Sequence, residues 1–135
     1  MENAENFMQI RSQRWLFDAL FPGKQLLFVC RYPQENLENL RLWLLRIPNR
    51  YVHFGDFDLA GVHIYLSEFY AHLGNRSSFL VPSDIEERLA EGNAVLYNQQ
   101  YARFRNMAVT DVRLQPLVNM IHHYRRGYEQ EGYIR

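Results

Sequence analysis

Lysine is nearly missing from this chain: Lys24 is the only one, and the remaining positive side chains are fourteen arginines. Basic and acidic residues balance at fifteen each, so no net field draws the protein toward nucleic acid or an anionic membrane. Cysteine is also scarce. Cys30 stands alone in the run LLFVC, which excludes an internal disulfide and a cysteine-based zinc cage and suits a buried small hydrophobe. No run approaches the roughly twenty apolar residues of a membrane span, and the acidic start lacks the parts of a signal peptide. The expectation is a soluble, cytoplasmic protein without membrane contact. Repeats and low-complexity linkers are absent as well.

What the chain does have is apolar and aromatic content, 47% and 15% of its 135 residues, enough for one domain with a real core and too short for two. The arginine bias is compatible with phosphate contacts, since the guanidinium is a planar fork. Genomic composition produces the same bias and is the simpler cause.

The stretch Tyr51 to Tyr65, YVHFGDFDLAGVHIY, organises the rest. Tyr51, Val52, His53 and Phe54 follow the Pro48-Asn49-Arg50 break and read as a short buried strand. Beyond Gly55 come Asp56 and Asp58, then apolar residues at helical spacing to about Leu73, with Asp58 as N-cap and Gly74-Asn75 as stop. Side chains i and i+2 on a strand point the same way, so Asp56 and Asp58 can converge beyond the strand's carboxyl end. Two such carboxylates repel unless one is protonated or a hard cation such as Mg²⁺ or Mn²⁺ lies between them. The plainer reading of Asp-x-Asp is a cap beside a solvated turn residue.

In chain order the pattern predicts a helix over residues 3–20, a doubly covered strand over 26–30, a break at Pro33 and a helix from Leu37 to Ile47. After the focal unit it predicts a strand over 78–81. A helix follows, opened by a Ser83/Glu86 capping box, then a helix over 94–106 and a last one opened by Pro116. Arg103 and Arg105 flank Phe104, a core residue between two solvated neighbours or a stacking surface for nucleic acid. The tail from Tyr128 shows no periodicity. Alternation of helix and strand implies an α/β fold around a parallel sheet, with residues 1–82 as core and 83–135 as a mostly helical part. The chain opens on a helix where such units open on a strand.

HFGDFDLAGVHI resembles the Asp-x-Asp segment of the Toprim (topoisomerase-primase) domain. It is closest to the branch of topoisomerase VI A subunits and the nuclease subunit of Wadjet-type plasmid defence systems. Glu2-Asn3, followed by Phe7, resembles that branch's glutamate segment at the end of the first strand, and Glu129-Gln130-Glu131 its terminal segment. The resemblance implies a three-layer Rossmann-like fold with its first strand largely missing, in a chain that is a fragment of a larger protein. It implies Mg²⁺-dependent cleavage of DNA phosphodiesters, as in a nuclease or topoisomerase, with DNA and a partner subunit or second copy as partners. Asp56 and Asp58 would be metal ligands, and Glu2 a third ligand or the general acid or base. His53 and His63 lie beside them and read as core or surface histidines. Two alternatives stand: a catalytically inactive Toprim-like module binding DNA or a partner, and a small-molecule phosphohydrolase, which generally needs a Thr closely after the second Asp where this chain has Leu59, Ala60 and Gly61.

Overall fold

A computed structural model of the chain describes residues 1–31 and 37–135; the Pro33 break lies outside the described residues. Helices α1 (Ala4–Met8), α2 (Arg14–Leu20) and α3 (Leu37–Arg46) precede strand β1 (Tyr51–His53). Helix α4 (Leu59–Ile64) continues through a π-helical stretch (Tyr65–Tyr70) into α5 (Ala71–Leu73) and strand β2 (Ser77–Phe79). Helices α6 (Ile85–Ala90), α7 (Ala94–Phe104) and α8 (Gln115–Tyr124) follow, and a 3₁₀ turn at Gln130–Tyr133 completes the order.

The fold is mixed α/β around a parallel pair, β1 beside β2, with Tyr51, Val52 and His53 opposite Ser77, Ser78 and Phe79. Successive carbonyls of an extended strand point to opposite edges, so β1 can be flanked on both sides. Its His53 carbonyl accepts from Leu80 N, and the next carbonyl, of Phe54, accepts from Glu2 N at 3.0 Å. Met1 in turn donates to Val29 O at 2.9 Å and accepts from Arg31 N at 2.9 Å. Bonding to residues on either side of Cys30 is the parallel pattern. Residues 29–31 and 1–2 therefore carry parallel backbone bonding past the end of β1, outside the two-stranded sheet, and Glu2 lies beside the carboxyl end of β1.

Several expectations need correction. The helix predicted over 3–20 is broken: α1 ends at Met8 with Gln9 as its C-cap, and a 3₁₀ turn at Ile10–Gln13 leads into α2. Buried polar residues explain the break. Gln13 and Asn6, both fully buried, bond each other at 2.6 Å, and Gln13 Nε2 also donates to Asn6 O and Gln9 O, which an unbroken helix would use internally. Residues 26–30 are not covered on both faces, since Leu27 is 75% exposed, and Cys30 is only half-buried. The capping box does not form. Asp84 is the N-cap of α6 without a side-chain cap bond, and its carboxylate instead holds Arg88 Nε at 2.7 Å and the Tyr133 hydroxyl at 3.1 Å.

The core is aromatic and centred behind β1. Phe69, on the π-helical stretch, stacks on Tyr51 with centroids 4.7 Å apart and meets the His53 ring at 5.0 Å. Tyr65 donates to the buried Asp111 at 3.0 Å, which Arg113 also grips. Fully burying an aromatic of this size is worth roughly 1.5–3 kcal/mol. This packing fixes the strand end from which the acidic turn departs.

Candidate functional site

Three glycines let the chain fold tightly around the acidic turn. A Cβ on Gly55 would lie 2.5 Å from Glu2 Oε2, and one on Gly127 would lie 2.8 Å from Asp58 Cβ. A Cβ on Gly61 would collide with the Asp56 carbonyl. Glu2 and Asp58 are thus held against backbone that no larger residue would leave room for.

Asp58 behaves as the sequence predicts. Extended backbone at φ −140° and ψ 175° lets its Oδ1 cap α4 by accepting from Gly61 N at 2.6 Å. Its Oδ2 accepts from Gln100 Nε2 at 2.8 Å, and Gln100 Oε1 accepts from Ala60 N. Asp56 Oδ1 accepts from Gln130 N at 2.9 Å. Among the described residues Asp56 Oδ2 has no hydrogen-bond partner. Burial pushes the Asp56 carboxyl up to about 7, helped by the charges of Asp58, Glu2 and Glu131. Burial likewise raises Asp58, with Glu2 and Glu129 adding to it.

Glu2 is fixed by two elements. Its Oε2 is 3.3 Å from His53 Nε2, and Arg31 Nη1 lies 3.6 Å from its Oε1. His53 is fully buried, and its Nδ1 is 3.0 Å from the Tyr51 hydroxyl. Burial lowers the imidazole's affinity for a proton, so the ring is neutral: Tyr51 donates to Nδ1 and Nε2–H donates to Glu2. The core reading of His53 holds, and its role in orienting Glu2 is an addition. His63 is half-buried, its ring 5.0 Å from Phe104, and takes no part in the acidic cluster.

The tail supplies what the sequence did not announce. Phe57 and Tyr128 form an antiparallel bridge, with Phe57 N donating to Tyr128 O at 2.8 Å. The side-chain amide of the fully buried Gln130, in the orientation that satisfies both its ends, donates to Phe54 O and accepts from Asn3 N, each at 3.2 Å. Asn3 Nδ2 donates to Glu131 Oε1, while Glu131 Oε2 is buried without a partner. The Glu129-Gln130-Glu131 run was the one trace of this in the sequence.

All the donors gathered here are carboxylate oxygens, and the neutral His53 has both nitrogens engaged. That set suits a hard divalent ion such as Mg²⁺ or Mn²⁺ and not zinc. The orphaned Glu131 oxygen and the crowding of like charge on Asp56 are the conditions a cation relieves, and in this respect the residues fit one. Among the described residues, however, no three His, Cys, Asp or Glu side chains are gathered closely enough to hold an ion.

The molecule is thus a mixed α/β protein with acidic residues gathered near the carboxyl end of β1, one strand of its parallel pair. Residues 1–135 match the model of the family described as Domain of unknown function (DUF7281), and the chain belongs to that family. No curated protein and no solved structure matches it.

Proposed function

We propose that this chain is a Toprim-like domain that cleaves DNA phosphodiesters with the help of Mg²⁺ or Mn²⁺, using Glu2, Asp56 and Asp58. The observation that carries the reading is the attachment of Glu2 to the Phe54 carbonyl, with its carboxylate against Gly55, one residue before Asp56. Residues 52 positions apart in sequence are drawn to one strand end by backbone pairing, which a set of unrelated surface acids would not require.

A divalent ion bound among these oxygens would neutralise an anionic phosphodiester and stabilise its leaving oxygen. Asp56, with its free Oδ2, and Glu2 would hold the ion, and Asp58 would keep α4 and Gln100 in register with them. The His53 contact keeps Glu2 oriented, as a ligand or as the general acid or base. The test is nicking of supercoiled plasmid by the purified protein with Mn²⁺. Nicking should fall at least a hundredfold in Asp56→Asn and Glu2→Gln if each removes an interaction made in the transition state, an estimate of about 3 kcal/mol. Nicking that survives both substitutions would sink the reading.

A second reading is supported by a specific observation. Both Asp58 oxygens are already bonded within the protein, and no ion-holding group of three is assembled among the described residues. That arrangement suits a module that binds DNA or a partner subunit and catalyses nothing. It predicts that Asp56→Asn changes neither Mn²⁺ affinity nor plasmid nicking.

A further inference from the structure

On the outer side of α7 lies a groove of about 420 Å³ lined by Tyr97, Tyr101, Arg105, Asn106, His122 and Arg125. Among the described residues no carboxylate lines it. Arg105 and Arg125 are both exposed, and among the described residues neither forms a salt bridge. The two guanidinium groups therefore face solvent over an aromatic floor.

That floor is ordered. Tyr97 is 3% exposed and its hydroxyl is 2.8 Å from His122 Nδ1. When that hydroxyl donates, Nε2 of His122 carries the proton and is a donor to a ligand. Tyr101, one turn along α7, is 40% exposed, with its ring tilted 38° from Tyr97 and 5.5 Å away. The Arg105 guanidinium lies 5.9 Å from the Tyr101 centroid. Arg125 sits at the C-cap of α8 in the left-handed region, φ 53° and ψ 43°, and is the only non-glycine residue with positive φ among those described. Glycine or asparagine is the ordinary choice there, so an arginine is held at a conformational cost.

An exposed ring in a groove that two free guanidinium groups also line, with an imidazole and an amide, recognises a flat aromatic group that carries phosphate. We propose that this groove seats an unpaired nucleotide of a DNA strand, with its base on Tyr101 and its flanking phosphates on Arg105 and Arg125. The inference deepens the DNA-directed reading above and rests on it for the choice of DNA as the phosphate-bearing polymer. The two sites share α7: Gln100, bonded to Asp58, is the residue next to Tyr101. A strand lying in the groove would run along the helix that braces the acidic turn.

The test is fluorescence anisotropy in EDTA with a labelled oligothymidine of roughly ten nucleotides, within the span one small domain covers. The expected result is that the strand binds more tightly than a duplex of the same length and that inorganic phosphate displaces it only weakly. Tyr101→Ala should weaken binding roughly 5- to 150-fold. Arg105→Ala and Arg125→Gly should each lower the slope of log affinity against log salt by about 0.7, a change that loss of structure alone does not mimic. Arg125→Gly keeps the protein folded, because glycine adopts the required backbone without strain. Equal affinity for duplex, displacement by phosphate as effective as by unlabelled strand, or unchanged affinity and salt slope in the Arg105→Ala/Arg125→Gly protein would each overturn the proposal. Because binding is read without metal, a failure here is separate from a failure of cleavage, which is read by nicking.

Discussion

Glu2 and His53 are joined across the sheet, Oε2 to Nε2 at 3.3 Å, and the imidazole is in turn held by Tyr51. The His53 ring packs among Phe69, Phe79 and Tyr65, so its position is set by the core and passed to the carboxylate. Replacing His53 with Phe preserves most of the packing and removes both polar contacts. His53→Phe should cost about 1–3 kcal/mol, the penalty of leaving buried partners unbonded, as read by urea denaturation. A variant as stable as the parent would mean that the contact with Glu2 carries no weight.

The raised Asp56 carboxyl makes stability depend on pH in a defined direction. The folded protein holds this proton up to about pH 7, whereas the unfolded chain releases it near pH 4. The unfolded state therefore binds fewer protons across that window, and stability falls as pH rises from about 4 to about 7. Asp58, raised by the same burial, contributes in the same sense. In EDTA the loss should reach up to roughly 4 kcal/mol, and Asp56→Asn should remove most of it. Thermal melts of the two proteins at pH 5 and pH 8 check this; parallel pH profiles would contradict it.

The same crowding predicts an effect of added ion. Mn²⁺ should raise the melting temperature at pH 8, where the carboxylates are charged, and have little effect at pH 5, where Asp56 is protonated. Glu2→Gln should weaken the response at pH 8. A melting temperature indifferent to Mn²⁺ at both values would favour the non-catalytic module.

Close approach at the glycines gives a steric prediction. Gly127→Ala sets a methyl against Asp58 Cβ, and Gly61→Ala sets one against the Asp56 carbonyl, which cannot swing aside. Each should cost about 1–3 kcal/mol in denaturant titration. Gly55→Ala meets the movable end of Glu2 but also the His53 ring, which the core holds in place, so it should cost a similar amount and in addition displace Glu2, which the nicking assay would read as a lower rate.

How far the sequence revealed this arrangement depends on whether the signal was local. The β1 strand, the Asp58 cap, α4 and the burial of His53 follow from apolar spacing and a capping carboxylate, which act over a few residues. The break between α1 and α2 was hidden because it comes from the Asn6–Gln13 pair, two polar residues that read as surface. The tail was unreadable for a related reason: Tyr128, Gln130 and Tyr133 bond and pack individually against distant partners and produce no period. Tyr133 is nonetheless fully buried, so Tyr133→Ala should cost about 3–5 kcal/mol despite lying in the least patterned part of the chain.

The bond from Gln130 to Asp56 spans 74 positions. A ribosome has long finished the acidic turn before it delivers the amide that seats it. The nascent chain must therefore carry that turn without this bond until a further 74 residues have been made, and any activity that depends on it stays latent until residues around Gln130 dock.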